Sequence, residues 1–178
     1  MRIIEVVEYN DDWPRLFEIE KQLIISSLPI KNLWVHHIGS TAVSGLAAKP
    51  IIDILLEIEE IEALDGCNEI FESIGYECKG EFGISGRRYF QKGGCKRSHQ
   101  IHAFSKASEN SIRHLAFKEY LITHPAVAQE YAGIKLDAAK NCNNDIGVYC
   151  DGKDEFVKTH EKHAVQWYKN ANKKLHWE

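Results

Sequence analysis

One stretch, VHHIGSTAVSGLAAKPIIDILLEI over residues 35–58, constrains this chain more than any other. It reads as a strand, a Gly-Ser turn, a loop of small residues and a second strand carrying one aspartate, Asp53. Both strands are apolar enough to be buried, and a carboxylate in such a strand needs a hydrogen-bonded partner, a metal ion or a proton. The fold must therefore bring something polar to Asp53.

Strand alternation places Ile51, Asp53, Leu55 and Glu57 on one face and Ile52, Ile54, Leu56 and Ile58 on the other. Two-metal phosphoryl chemistry wants two carboxylates close together, as a D-x-D strand supplies them. Here Leu55 occupies the second position, and Glu57 stands about 13 Å further along an extended strand, too far to share a metal with Asp53. Asp53 is then either one half of a metal site or an ion-pair partner of Lys49 or an arginine.

The Gly39-Ser40 turn offers the other half of the chemistry. Gly39 permits an unusual backbone angle, and Ser40 and Thr41 add hydroxyls to free backbone N–H groups, which together suit a phosphate. The same residues also suit an ordinary helix cap. In HQIH, His102 shares a strand face with Gln100 and Phe104, where it can ligate a metal or exchange a proton near neutral pH. Basic residues at Lys49, Arg87, Arg88, Lys96, Arg97, Arg113, His114, Lys118, Lys135 and Lys153 can line an anion pocket facing the turn. His36 and His37 flank it, and their place relative to the pocket is open.

Composition narrows the class. The 178 residues carry a net charge of −4, which argues against general nucleic-acid binding, for which a basic footprint is expected. Five cysteines without CxxC spacing, no signal-like leader and no long apolar run lead us to expect a cytoplasmic protein with reduced thiols and no membrane segment. Neither a Walker A loop nor a G-x-S-x-G elbow nor H-E-x-x-H occurs, which leaves kinase and hydrolase readings without support.

The elements expected along the chain are an edge strand over residues 2–8, a helix from Asp11 or Asp12 to Leu28, and strands at Leu33–Ile38 and Ile51–Ile58. A helix over Ile61–Ile74 and a short strand at Tyr76–Lys79 follow. Arg87–Gln91 and His99–Phe104 form a hairpin around Lys92-Gly93-Gly94. Helices over Ile112–Thr123 and Ala126–Lys140, separated at His124-Pro125, precede a last helix over Asp154–Ala171. The fold class expected is α+β: one domain over residues 1–178, a mixed sheet flanked by helices, with a helical C-terminal third.

The motifs HIGSTAVSGLAAKPIIDI, RSHQIHAF, RHLAFKEYLITHPAVAQEYAGIK and Y-x-D-G-K-x-x-F, with EYNDDWP near the start, resemble those of the GrpB family in the same order. The resemblance covers nearly the whole chain and implies a polymerase-β-like nucleotidyltransferase fold. It implies a pocket of Gly39, Ser40, Lys49, Asp53 and His102, with Arg97, Arg113, His114, Lys135 and Lys153 as anion contacts. Ser44 stands where the family usually has proline, whereas an apolar residue at Leu55 is usual there. Similar domains fused to dephospho-coenzyme A kinases suggest a nucleotide or coenzyme A context. Three readings are expected from this: a nucleotide pocket performing or descended from nucleotidyl transfer with one divalent ion (Mg or Mn) on Asp53 and His102, a non-catalytic module binding a nucleotide or coenzyme A-related ligand, or a metal-dependent enzyme of another class with a transition metal on Asp53 and His102.

Overall fold

Strand β2 (Ile52–Ile58) forms the hydrophobic axis of the molecule, with Ile54, Leu55 and Leu56 wholly shielded from solvent. Burying side chains of this size contributes about 1.5–3 kcal/mol each, so a strand this apolar is driven to the middle of a sheet. The computed structural model describes residues 3–175. In it β2 lies between β1 (Leu33–Ile38), antiparallel, and β5 (His99–Ser105), parallel. Two further antiparallel strands, β3 (Tyr76–Cys78) and β4 (Arg88–Lys92), complete a five-stranded mixed sheet of order β1-β2-β5-β4-β3.

The two faces of β2 are covered by different elements. Ile52, Ile54, Leu56 and Ile58 join Trp13 and Ile24 of helix α1 (Trp13–Ser27) and Phe71 of α2 (Asn68–Ser73) in the main core. On the opposite face Leu55 packs with Ile38, Phe104 and Leu115, the last from α3 (Glu109–Thr123). Helices α4 (Pro125–Asn141) and α5 (Ile146–Leu175) extend this side, where Leu121, Tyr131 and Phe156 form a smaller apolar cluster. The α+β class, the mixed sheet and the helical C-terminal third match the sequence reading.

Three elements depart from it. The expected edge strand over residues 2–8 shrinks to one bridge, Val7 with Ala48, joined by two N–H to C=O bonds of 2.9 Å; residue 2 lies outside the described residues. Its neighbours Ile3 and Glu5 are exposed and find no partner strand to pair with. The helix expected over Ile61–Ile74 is instead a tight 3-10 segment, Ile61–Cys67, followed by the short α2. Gly66 sits at that junction, and glycine is the ordinary residue least favourable to a continuous α-helix. The last helix starts at Ile146 rather than at Asp154, because the Asp145 side chain accepts from the N–H groups of Gly147 (2.8 Å) and Val148 (3.1 Å). Gly152 lies inside this helix against Ala138, where a β-carbon would approach the Ala138 methyl to 3.0 Å. It is a close-packing position and not a helix break.

Candidate functional site

Because β1 and β2 run antiparallel, the turn after Ile38 returns to the level of Asp53, which pairs in register with Ile38. Gly39 takes φ +70°, and a β-carbon there would lie 2.8 Å from Asp53 Oδ2. Any other residue would both strain the backbone and strike the carboxylate. Ser40–Ala42 then form one 3-10 turn. Beneath it, on the other face of the sheet, His37 Nε2 lies 2.9 Å from Thr41 Oγ1, and Thr41 donates to the Ile51 carbonyl at 3.4 Å. Thr41 must then accept from His37. The His37 ring stacks on Phe17 at 4.7 Å, and burial pulls its pKa down to about 4, with Asp53 opposing the shift. His37 is thus a neutral brace under the Gly-Ser turn, outside the pocket.

Asp53 is held from the side by β5. Gln100, with its amide oriented to suit its neighbours, donates to Asp53 Oδ1 at 3.0 Å and accepts from Tyr89 OH (3.2 Å) and Arg97 Nη1 (3.3 Å). His102 Nε2 stands 3.6 Å from Asp53 Oδ1. On the ring's other side Arg87 Nη1, which can only donate, faces Nδ1 at 3.5 Å, and this places the ring proton on Nε2, toward Asp53. Arg87 is itself buried and held by the carbonyls of Glu81 (3.1 Å) and Phe82 (2.6 Å). His114 tilts against His102 at 5.2 Å, and burial, reinforced by His102 and by the arginines at 113 and 87, keeps it neutral.

Opposite Asp53 the helices contribute lysines. Lys135 of α4 is only 2% exposed, yet its Nζ donates to Ser40 Oγ (2.8 Å) and to the Ala47 carbonyl. Burial first, then Lys153 and Lys49, draws its pKa down to about 7. Lys135 lies over the Tyr131 ring at 4.5 Å, and Lys49 and Lys153 lie over Tyr149 at 4.6 Å and 5.8 Å. Burial raises the phenol pKa of both tyrosines, so these rings stay neutral beneath the cations. The result is a pocket of about 370 Å³ between the sheet end and α3–α5, with Asp53 on one wall and three lysines on the other.

The pocket gathers Gly39, Ser40, Thr41, Lys49, Asp53, His102, His114, Lys135 and Lys153 from the residues singled out in the sequence, whereas Arg87, Arg88, Lys96 and Lys118 lie outside its lining. Arg97 opens instead into the adjoining cavity. Arg113 pairs with both oxygens of Glu161, at 3.1 and 3.2 Å, and it is Glu161 that reaches the pocket wall. His36 is engaged elsewhere, 3.0 Å from Glu57. Sequence reasoning missed Gln100, Tyr131 and Tyr149. A signal for the tyrosines was present: Tyr131-x-x-x-Lys135 and Tyr149-x-x-x-Lys153 each place ring and ammonium on one helix face.

Of the two carboxylates that line the pocket, Glu161 is paired with Arg113, which leaves Asp53 for a metal ion. Among the described residues no group of three or more His, Cys, Asp or Glu is placed to hold one. Leu55, at the position a second carboxylate would need, is wholly buried in the Ile38–Phe104 cluster. The donor set fits a single hard cation that takes its remaining ligands from phosphate and water, and it does not fit a two-metal clamp.

A mixed sheet ending in a Gly-Ser turn beside an aspartate strand defines the nucleotidyltransferase-like fold. The structure of the GLD-2/RNP-8 complex shares it, with a TM-score of 0.51 at 11% identity over 80% of this chain and 58% of that one. Within that class the chain belongs to the GrpB family, whose model, described as GrpB protein, matches residues 3–163. The crystal structure of conserved protein GrpB from Enterococcus faecalis is 45% identical, with a TM-score of 0.87 over 92% of this chain and 99% of that one. UPF0157 protein YqkA of Bacillus subtilis (strain 168) is 43% identical over 96% of this chain, which spans 50% of YqkA's length. A dephospho-CoA kinase of Mycolicibacterium paratuberculosis is 25% identical over 92% of this chain and 46% of its own.

Proposed function

We propose that the pocket binds a nucleotide through its phosphates and supports nucleotidyl transfer assisted by one divalent ion, Mg or Mn. The observation that carries this reading is Lys135, a buried ammonium resting on the Ser40 hydroxyl with Lys49 and Lys153 beside it. Three cations crowded at one wall repel each other, and an oligophosphate relieves that repulsion. Ser40 and the backbone of the turn add donors for phosphate oxygens, and the lysines neutralise charge as it moves to the leaving phosphate. Asp53 would hold the ion and His102 would steady Asp53. The ion's contribution, when bound, is Lewis-acid charge on the phosphoryl oxygens.

Leu55 favours a second reading, in which the same pocket holds a nucleotide or coenzyme A-related molecule without transferring it. One thermal-shift panel tests both. The four ribonucleoside triphosphates and dephospho-coenzyme A are each added with and without Mg or Mn. Binding to the folded state raises the melting temperature, by an amount equivalent to about 2.7 kcal/mol at a hundredfold excess over Kd. A shift that needs ligand and ion together, and that is lost in Ser40→Ala and Lys135→Met, supports the first reading. A shift with ligand alone supports the second. No shift with any ligand overturns both.

A further inference from the structure

The lysine pocket does not end at Lys49. Lys49 and Ile51 also line a second cavity, of about 420 Å³, at the same end of the sheet. Ile3, Pro50 and Ile51 make part of its wall apolar, and Arg97, Lys96 and Lys49 bring three cationic groups to it against one carboxylate, Glu5. The loop that carries Arg97 is shaped by Gly93, at φ +95°, where a β-carbon would collide with the Lys96 carbonyl. Arg97 has one guanidinium nitrogen on Gln100, which in turn donates to Asp53. Its Nε is buried with no hydrogen-bond partner among the described residues. That nitrogen is shielded from water, so what Arg97 offers the cavity is its charge beside those of Lys96 and Lys49, and cationic side chains gathered around one cavity suit an incoming oxyanion.

We propose that this second cavity is an anion subsite built on Arg97, continuous with the lysine pocket, and that the two together take a ligand with two separated phosphates on a partly apolar frame. A nucleoside 3′,5′-bisphosphate has that chemistry and a simple nucleoside diphosphate does not. This inference rests on the lysine pocket being a phosphate site.

Each cavity carries its own reporter. Cys95 lines the Arg97 cavity and Cys150 lines the lysine pocket; both thiols are exposed, whereas Cys67 and Cys142 are buried and Cys78 is half-buried. Alkylation of the whole chain by iodoacetamide, followed peptide by peptide in a mass spectrometer, reads both sites at once. At ten times its Kd, adenosine 3′,5′-bisphosphate is expected to slow labelling of Cys95 and Cys150 about tenfold each, while ADP slows only Cys150. In Arg97→Met the bisphosphate is expected to protect Cys150 and to leave Cys95 as reactive as in the free protein. Protection of Cys150 alone by the bisphosphate in the unaltered protein overturns the second subsite and leaves the lysine pocket standing. Equal protection of Cys95 by ADP overturns the bisphosphate class. Protection at neither thiol by any of these ligands overturns the phosphate reading itself, and the second subsite with it.

Discussion

Strand β2 carries two carboxylates on one face, each beside a histidine, and their surroundings differ in kind. Glu57 is 5% exposed and accepts from the Ala107 N–H at 2.9 Å while His36 Nε2 lies 3.0 Å away. Burial alone would raise its pKa, but the bonds from His36, Ala107 and Ser111 outweigh that and hold it ionised. It ties β1 and the start of α3 to the sheet. Asp53, four residues earlier, is more open: its side chain is 29% exposed, His102 stands off at 3.6 Å, and the nearest turn is left bare by a glycine. Similar groups on one strand thus serve in one case to close the structure and in the other to leave a charged wall facing three lysines. Hydrogen-bond saturation, more than residue type, separates a structural carboxylate from an available one.

The sharpest way to break this contrast is truncation of each acid. Glu57→Ala removes the acceptor for the Ala107 N–H and for His36 at a buried side chain, and is expected to cost about 3 kcal/mol in denaturant unfolding. Asp53→Ala is expected to cost about 1 kcal/mol or less, because its neighbours keep other partners or solvent. Equal losses would make Asp53 a structural ion-pair member like Glu57.

Gly39→Ala is the next largest effect, about 2 kcal/mol from the positive φ and the approach to Asp53. Part of that loss should return in the Gly39→Ala, Asp53→Ala double variant, and strict additivity would show that the carboxylate is not what the turn avoids.

Lys135 sharpens the comparison through pH. Its folded-state pKa is lowered to about 7 from 10.5, so between those values the unfolded chain holds a proton that the folded chain has released. Stability from this group therefore rises with pH over that window, and Lys135→Met is expected to flatten the rise in a series of urea titrations. An anion reverses the preference by favouring the ammonium. Phosphate ligands should bind with proton uptake, seen as a dependence of calorimetric enthalpy on buffer ionisation, and more weakly as pH climbs above 7.

A small effect, of the same order as that of Asp53→Ala, is expected of His37→Gln. It removes the ring stacked on Phe17 and should cost about 1 kcal/mol of stability, with a weaker thermal shift from any ligand that uses Ser40. An unchanged ligand response would separate the brace from the pocket.

Much of this was legible in the residues. Alternation in IIDILLEI assigned both faces of β2, and the rise per residue separated Asp53 from Glu57 along the face they share. The Gly-Ser turn and His102 fell where expected for the same local reason. Less local features were harder to read. Residues 2–8 have strand composition but lack a neighbouring strand, and α5 begins eight residues early because Asp145 caps it.

By itself, then, the sequence determined the sheet, its apolar faces and the polar residues that the sheet end must carry, because periodicity and turn chemistry act between near neighbours. Only the tertiary structure decided which cations meet them. Lys49, Lys135 and Lys153 lie far apart in the chain and share one wall, Arg97 turns to the next cavity, and Arg113 is neutralised by Glu161. The physical reason is that Lys49 and Arg97 ride on loops at the sheet end, while helix packing brings Arg113, Lys135 and Lys153 to it, and that packing responds to the apolar sides of α3, α4 and α5 rather than to the charges they carry.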